Sequence, residues 1–524
     1  MRKHMMVIAL ACAVLLAGCR QIPLDKYIPI PSGDDNFVSM EETPDLSYEV
    51  PASTPGILIN QLGYMPESKK VAVFQGDELP DVFYVIDMES KETVYTGFLE
   101  EQGYNQELEE YNSYGDFSGL QTPGNYYIEA PVLGRSYSFS IGEDIYRDVF
   151  KEACRQYYYN RCGITLTTEY AGENAHNACH IGKVMLKEDT SVSVDVSGGW
   201  HQDEKGQKDV ITAAQAMSVM LLSYELYEKA FTDDYEIPES GNGIPDILDE
   251  VKYEVEWMLK MQDKQTGEVY SGVSVYGSNN DTSGKSSDIY LEPSSAEAER
   301  AFAMALAKFS YLYQNFDTEY ATYCLQAADR AWKHAELDLS GESDETNKWK
   351  FAAAAELYRA AGQRSCHKYI EEYINSEENL YEQDEIVLMG CVTYISTKQK
   401  VELALCDQIM KMLMQQAERI SEDANDNLYL ATANKEQDNN RQLLLNIMYL
   451  MVVNHIIANY EYGTAIENHL HYLFGRNDIA VSYVDGFGEN SYGNGEENIG
   501  IMKQFDTDSK LIFMLSEVID RSAG

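Results

Sequence analysis

The spacing of hydrophobic and polar positions changes once along the chain, near residue 143. Before that point, from Gly56 onward, apolar residues occur in short β-prone runs that turn residues separate. The clearest runs are 57–59, 71–74, 82–86, 126–128 and 137–141. Several short strands within about 90 residues predict an immunoglobulin-like β-sandwich over residues 56–143.

Beyond that point the apolar residues recur three or four positions apart, which indicates helices. Examples are Val210, Ala214, Met217, Leu221 and Tyr224 in one segment, Phe302–Phe309 in a second and Phe351–Tyr358 in a third. Many helices with almost no β-runs, over roughly 380 residues, predict a closed all-α barrel or an α-solenoid for residues 144–524. No period is strict enough to indicate a repeat array.

The first 18 residues predict a targeting segment. Arg2 and Lys3 precede an apolar run, Met5–Leu16, that is too short to span a bilayer as a stable helix. The run ends in Leu16-Ala17-Gly18-Cys19, which resembles the bacterial lipobox. Cleavage before Cys19 and lipidation of its thiol would make the protein an exported lipoprotein anchored to the membrane at the cell surface. The alternative is a plain secretory signal with a chance cysteine.

Residues 19–55 connect this segment to the folded part of the chain. Proline, serine, glycine and acidic residues dominate them. Such a composition predicts a disordered tether that holds the folded part away from the membrane.

The net charge restricts the choice of partners. Lys and Arg number 40 against 86 Asp and Glu, which gives a formal net charge of −46. Nucleic acid and anionic membrane surfaces would be repelled, so the lipid is the only membrane contact we expect. A neutral polymer or a cation remains compatible. The 39 tyrosines offer flat apolar faces with hydroxyl groups, which suit sugar rings, although tyrosine also fills half-buried positions.

One loop, Asp195–Val210, combines a Gly-Gly turn, a tryptophan, a histidine and several charges ahead of a helical pattern. A polar, aromatic-bearing loop on a helical scaffold is a common location for a functional site. His201 in this loop, with Cys162, Cys179 and His180, supplies the two thiols and two imidazoles of a closed structural zinc site. The spacing is not that of a compact zinc finger, so spacing alone favours four unrelated residues.

Several motifs occur in the order typical of one known family. Those of the first part are Ile59-Asn60-Gln61-Leu62-Gly63-Tyr64 and Thr122-Pro123-Gly124-Asn125-Tyr126-Tyr127. They resemble the immunoglobulin-like domain that precedes family 9 glycoside hydrolases. Those of the second part are Asn160–Gly163, Ala178–His180, Asp195–Trp200, Gly241–Glu250, Ala353–Tyr358, Gly475–Asn477 and Ser482–Asn490. They resemble the catalytic domain of that family, so the resemblance covers about 90% of the mature chain and implies an (α/α)6 barrel.

The resemblance also implies chemistry. The family implies an inverting endo-β-1,4-glucanase that acts on β-glucan or a related plant polysaccharide. Members with this immunoglobulin-like domain often carry zinc on Cys, Cys-His and His, which match Cys162, Cys179-His180 and His201 and favour a structural zinc here. The acidic loops are compatible with calcium, although no ligand spacing resembles a known calcium loop. The side chains expected to stack on sugar are Trp200, Tyr483, Phe487 and Tyr492.

The chain departs from the family at the catalytic positions. Inversion needs a carboxylic acid and a carboxylate base about 6.5–9.5 Å apart. The family has aspartates at the second and fifth positions after the Gly-Gly-Trp motif, where this chain has Gln202 and Lys205. Counting back from the final helix places Met502 where the family has its acidic glutamate. Glutamine cannot serve as the base and methionine cannot donate a proton as the acid, while lysine is normally protonated and so is no base either.

Three functions are therefore open. The first is a surface glucanase that uses a neighbouring carboxylate, either Asp203 or Glu204, as base and Glu497 as acid; otherwise Asp203 and Glu204 are solvated loop charges. The second, which the replacements slightly favour, is a glycan-binding pseudo-enzyme. The third is a surface scaffold whose sandwich domain docks another protein. The sequence gives no indication of oligomeric state.

Overall fold

The computed structural model of the protein describes residues 50–51, 54–106, 109–276, 288–337, 343–376, 380, 383–433, 439–492 and 500–522. The predicted signal segment, lipidated Cys19 and most of the tether lie outside these residues, as does Glu497. The described residues belong to the compact unit Tyr48–Gly524. Within them, no helix has the length and apolar character needed to cross a membrane.

Eight strands form the N-terminal domain. They are β1 Ile57–Leu58, β2 Gly63–Tyr64, β3 Val71–Gly76, β4 Val82–Asp87, β5 Thr93–Asn105, β6 Glu110–Asp116, β7 Gly124–Ala130 and β8 Gly134–Ile141. Their order is β1-β3-β6-β5-β4-β7-β8-β2, and every pair is antiparallel except β2 with β8. The first half of β5 pairs with β4 and the second half with β6, so β5 passes from one sheet to the other.

This arrangement confirms the predicted immunoglobulin-like sandwich. Its core is built from inward-facing aromatic and aliphatic residues, among them Phe74, Phe83 and Phe139. The sequence pattern did not reveal β5 and β6, because most residues of β5 are exposed and its apolar residues form no run longer than two. Backbone pairing with β3 and β4 holds these two strands in place.

Twelve long helices follow in the described part of the chain. They are α1 Arg147–Tyr159, α2 Val210–Leu226, α3 Asp246–Met261, α4 Ala296–Tyr313, α5 Thr318–Ala335, α6 Asp344–Ala361, α7 Arg364–Asn375, α8 Glu385–Ser396, α9 Leu403–Asp426, α10 Asn439–Ile456, α11 Tyr460–Leu473 and α12 Phe505–Ser522. Each even-numbered helix packs on the next even-numbered helix, and α12 packs back on α2, so these six helices form a closed inner ring. The odd-numbered helices pack around this closed inner ring. The predicted (α/α)6 barrel is therefore confirmed, and the solenoid alternative is wrong.

The inner helices run parallel, as contacts at both of their ends show. In the first turns, Gln215 of α2 donates hydrogen bonds to Glu385 of α8 and Asp506 of α12. In the last turns, Lys308 of α4 contacts Glu225 of α2 and Glu356 of α6. The loops that precede the inner helices, including residues 195–209, consequently gather at one end. We call this the N-terminal end of the barrel.

The sandwich is attached to the barrel by buried hydrogen bonds. The side chain of Gln61 donates to Ala480 O at 2.8 Å and accepts from Asn490 N at 2.8 Å. The guanidinium of Arg476, itself buried, donates to Val71 O at 3.2 Å and Asn468 Oδ1 at 2.9 Å. Gln61 and Arg476, each from a family motif, therefore serve the contact between the two domains.

Candidate metal centre and barrel cleft

The four predicted metal ligands converge. Their ligand atoms all lie within 4.8 Å of one another. The Cys162 and Cys179 sulfurs are 3.8 Å apart, and His180 Nδ1 lies 3.1 Å from His201 Nε2. The sulfur–nitrogen distances are 3.4 Å from Cys162 to His180 and 3.3 Å from Cys179 to His201. Bonds of about 2.0–2.3 Å to a central ion produce tetrahedral edges of this size. The residues thus fit a closed Cys2His2 zinc centre.

Local backbone pairing brings two of these ligands together. Cys162 follows α1, and its N–H donates to Gly199 O at 2.7 Å, while His201 N donates to Asn160 O at 2.8 Å. Gly199 has a φ of 73°, and a Cβ there would lie 2.7 Å from the Trp257 ring. The Gly-Gly turn therefore exists because the chain needs left-handed backbone close to an aromatic ring.

Trp200 lies in the core. It is fully buried, and its Nε1 donates to Glu250 Oε1 at 2.7 Å. Its ring packs against those of Tyr157 and Phe505, with centroids 4.8 and 5.7 Å away. The prediction that Trp200 stacks on sugar is wrong for this structure, because both ring faces are covered by protein. The Trp in the motif instead fixes the loop to the barrel.

Gln202 occupies the first expected aspartate position and has a specific structural task. Its Nε2 donates to Asp209 O at 2.8 Å, and its Oε1 accepts from Asp209 N at 2.8 Å. One amide thereby closes the loop onto the residue that caps α2. An ionised carboxylate could accept the second hydrogen bond but could not donate the first.

The neighbouring carboxylates belong to a solvated turn. Asp203 is exposed, and its Oδ1 accepts from Lys205 N at 3.0 Å and Gln207 N at 2.9 Å. Its Oδ2 accepts from Gln207 Nε2 at 2.9 Å. Glu204 and Lys205 are exposed beside it. Both carboxylate oxygens of Asp203 therefore stabilise its own turn. Glu497, the acid predicted to work with it, lies outside the described residues.

Met502, at the position of the expected catalytic acid, also has a structural role. Met502 is buried, and its backbone N–H donates to Asp485 Oδ2 at 3.0 Å. Gly500 N donates to the other oxygen of Asp485 at 3.1 Å. Burial raises the pKa of the Asp485 carboxyl, and these two backbone donors act against that rise. Asp485 thus holds the 500–502 segment in place.

The other predicted aromatic residues differ in exposure. Tyr483 is mostly buried, and its ring meets that of Tyr492 edge to face at 5.2 Å. Phe487 and Tyr492 are half-buried and keep accessible surface. Of the four predicted stacking residues, these two retain a face that a sugar could reach.

Sequence reasoning missed a charged cluster at the N-terminal end of the ring. Lys510 Nζ lies 2.6 Å from Glu385 Oε2 and also pairs with Asp506, which Arg441 contacts from α10. Gln215 bridges Glu385 and Asp506 at 2.9 and 3.2 Å. These residues come from four helices, so no local sequence spacing connects them. Lys510 and Arg441 thereby neutralise the carboxylates of Glu385 and Asp506 at this end of the ring.

Glu297, in the first turn of α4, is a second carboxyl that the sequence did not single out. It is half-buried. Burial raises its pKa, and the nearby carboxylates of Glu345 and Asp209 raise it further. A carboxyl of this kind remains protonated to higher pH than an exposed glutamate.

Comparison with known proteins identifies the family. Residues 52–135 match the cellulase N-terminal ig-like domain, and residues 146–498 match glycosyl hydrolase family 9. The chain belongs to glycosyl hydrolase family 9.

Individual family 9 proteins are similar to the chain over most of its length. Endoglucanase D of Acetivibrio thermocellus is 28% identical over 468 residues, covering 83% of this chain and 73% of the relative. A cellodextrinase of Butyrivibrio fibrisolvens is 28% identical over 483 residues, covering 84% and 86%. A solved metagenome-derived family 9 endoglucanase superimposes with a TM-score of 0.79 at 24% identity, covering 88% of this chain and 99% of that one. The family 9 barrel fold is thus shown by both sequence and structure.

Proposed function

We propose that the protein is a glycan-binding family 9 member that holds β-1,4-glucan, or a related plant polysaccharide, without inverting hydrolysis. Family membership and relatives named endoglucanase and cellodextrinase support a β-glucan ligand. The formal net charge of −46 favours a neutral polymer over an anionic one. Phe487 and Tyr492, the two predicted stacking residues that keep accessible surface, are the aromatic rings we expect to contact it.

The bridging amide of Gln202 is the observation that carries this proposal. Two hydrogen bonds commit both its oxygen and its nitrogen to the backbone of Asp209. The position is therefore adapted to a structural purpose that an ionised aspartate could not serve. At the other two expected catalytic positions, the chain has Lys205, which is exposed in a solvated turn, and Met502, which is buried. Neither side chain supplies the carboxyl group that inversion needs.

Zinc is part of the proposal as a structural ion. The ligands would be Cys162, Cys179, His180 and His201, and four protein ligands leave no open position for a reacting water. Bound zinc would tie the loop that ends in His201 to the end of α1. Elemental analysis should find zinc in the purified protein, and Cys179→Ser should remove it.

The proposed location is the cell surface, with a lipid on Cys19 as anchor. The lipobox-like Leu16-Ala17-Gly18-Cys19 supports it. In a bacterial host, Cys19→Ser should move the protein from the membrane fraction to the soluble exported fraction. Retention of the variant at the membrane would contradict lipidation at this residue.

Two measurements on the same glucans test the absence of hydrolysis. We expect no reducing sugar from carboxymethyl cellulose or mixed-linkage glucan, together with retarded migration of the protein in gels that contain either polymer. Phe487→Ala with Tyr492→Ala should abolish the retardation, whereas an exposed aromatic on the sandwich, Phe98→Ala, should leave it unchanged.

Release of sugar by the wild type would contradict the proposal. In that case Asp203→Asn, Glu204→Gln, Glu297→Gln and Glu497→Gln would show which carboxyl is responsible. Absence of both sugar release and gel retardation would favour the surface scaffold instead.

A further inference from the structure

A buried lysine lies directly beside the metal centre. Lys208 is 1% exposed. Its Nζ lies 3.5 Å from Cys162 Sγ, 2.5 Å from Val196 O and 2.8 Å from Gly198 O. An ammonium group has three N–H donors, and these three acceptors account for all of them. The lysine is therefore fully committed to this location.

The three acceptors come from the two segments that the centre has to join. Cys162 follows α1, whereas Val196 and Gly198 lead into the turn that presents His201. One ammonium group thus connects a ligand sulfur on one segment with the backbone of the other. The contact to sulfur is 3.5 Å long, which suits a hydrogen bond to the large sulfur atom of a thiolate.

The surroundings of the ammonium group are those of a buried cation. Glu254 of α3 is fully buried, and among the described residues neither of its oxygens has a hydrogen-bond partner of normal geometry. Burial raises the pKa of this carboxyl to about 8, and the charge of Lys208 acts against that rise. Lys208 Nζ also lies 5.3 Å from the centroid of the Trp257 ring. The aromatic face offsets part of the cost of burying the ammonium group.

The charges also balance when the centre is loaded. Two thiolates, two neutral imidazoles and one Zn²⁺ carry no net charge. The lysine is therefore not needed to neutralise the loaded centre as a whole. What Lys208 contributes is a contact to one of the two ligand sulfurs, that of Cys162.

We propose that Lys208 is a positioning residue of the metal centre, whose ammonium group donates to the Cys162 thiolate and sets the orientation and donor strength of that ligand. The proposal rests on the zinc centre proposed above. Hydrogen bonds from outside the ligand set commonly change metal affinity 10- to 100-fold. Lys208 also pairs with Val273 in a short strand, Lys208–Asp209, and the next residue, Asp209, caps α2. The centre is thereby linked to the first turn of an inner helix.

The test compares two lysines that bind the same loop. Lys208→Met removes the contact to sulfur. Lys260→Met is the matched control, since Lys260 Nζ donates to Ser197 O at 2.6 Å but is not in contact with a ligand. Zinc affinity is measured by competition with a chelator, and Co²⁺ replaces zinc for spectroscopy of the sulfur-to-cobalt charge-transfer band.

We expect Lys208→Met to weaken zinc binding by about tenfold or more. We also expect its charge-transfer band to move to lower energy, because a sulfur without the hydrogen bond donates more electron density. Lys260→Met should leave the band in place. An unchanged band and affinity in Lys208→Met would overturn the proposal, since a purely structural lysine would move neither.

Two further variants address a failure of Lys208→Met to fold. Lys208→Arg keeps a charged donor, whereas Lys208→Gln keeps a neutral one. We expect Arg to retain zinc affinity better than Gln, and equal affinities would overturn the proposal. A wild-type protein that binds neither Zn²⁺ nor Co²⁺ would overturn the metal centre itself, which is a different result from equal binding by wild type and Lys208→Met.

Discussion

At the scale of single residues, several side chains in family motifs perform structural tasks. Trp200 is fixed in the core by Glu250 and two aromatic rings, and Gln202 bridges the loop to Asp209. Such tasks depend on the surroundings in the folded chain. A motif identifies the residue, but its burial decides whether it contacts a ligand.

The Gly-Gly turn gives a test at this scale. Gly199→Ala should destabilise the protein by about 2–4 kcal/mol, because its positive φ is strained and the new Cβ would lie 2.7 Å from Trp257. Gly182→Ala is the control, since Gly182 also has a positive φ but has no atom within 4 Å of a Cβ. Its cost should stay near 1 kcal/mol. Equal free energies of unfolding in urea would show that the contact with Trp257 is unimportant.

The buried imidazole of His469 should make the free energy of unfolding smaller in acid. Burial lowers its pKa from 6.5 to about 4, while its ring contacts Ala465 O and accepts from Thr432 N. Between these pH values the unfolded chain binds a proton that the folded chain does not, so stability falls as the pH drops through this window. The contribution is about 2 kcal/mol at pH 5.

The measurement is urea unfolding at pH 8 and pH 5. His469→Gln keeps an acceptor for Thr432 and a donor for Ala465 but cannot be protonated, so it should reduce the pH difference by about 2 kcal/mol. His471, whose pKa burial also lowers, should account for part of the remaining difference. An undiminished pH effect in His469→Gln would refute this assignment.

At the scale of elements, the inner helices are tied together by charge at both ends of the ring. The end opposite the loops holds a buried cluster of Glu225, Lys308, Glu356 and Arg359, with Thr393 donating to Glu356 at 2.7 Å. Lys308, Glu356 and Arg359 each have 1% of their side chain exposed. The cluster joins α2, α4, α6 and α8.

Removing one charge from this cluster should be costly. Glu356→Gln leaves two buried cations with a single carboxylate, and we expect a loss of about 3–5 kcal/mol in the free energy of unfolding. Glu372→Gln breaks an exposed pair with Lys368 and should cost at most about 1 kcal/mol. Thermal or urea unfolding compares the two variants, and similar costs would contradict the role of the cluster.

The sequence could predict elements with a local apolar pattern but not contacts between residues far apart in the chain. Helices α2, α4 and α6 were predictable because their apolar residues recur at helical spacing, as Val210–Tyr224 does. The exposed β5, whose apolar residues form no run longer than two, could not be found in this way. The four candidate metal ligands were predicted through family motifs, not through their spacing. The cluster of Glu385, Asp506 and Lys510 depends on closure of the ring, which no local pattern encodes.

At the scale of the whole molecule, the sandwich and the barrel share a buried polar contact. Arg476 inserts into it and donates to carbonyl oxygens of both domains, Val71 O from the sandwich and Tyr429 O from the barrel. Burial lowers the pKa of this guanidinium to about 10. The two domains therefore depend on one side chain for several hydrogen bonds.

Loss of this side chain should uncouple the domains. Arg476→Met leaves the carbonyl oxygens of Val71 and Tyr429 without their donor, at a cost of about 2–4 kcal/mol, and calorimetry should show two melting transitions where the wild type shows one. Arg521→Met, which breaks half-exposed ion pairs with Glu467 and Glu517, should leave a single transition. A single transition in both variants would contradict this expectation.

The buried cluster of Glu225, Lys308, Glu356 and Arg359 also determines how a polymer can approach. Its side chains fill the space between α2, α4, α6 and α8 at the end of the ring opposite the loops. We therefore expect a polymer to meet the end that carries the loops, without one of its chain ends having to pass between these helices. If glucan binds as proposed, long uncut polymers should bind as readily as short fragments.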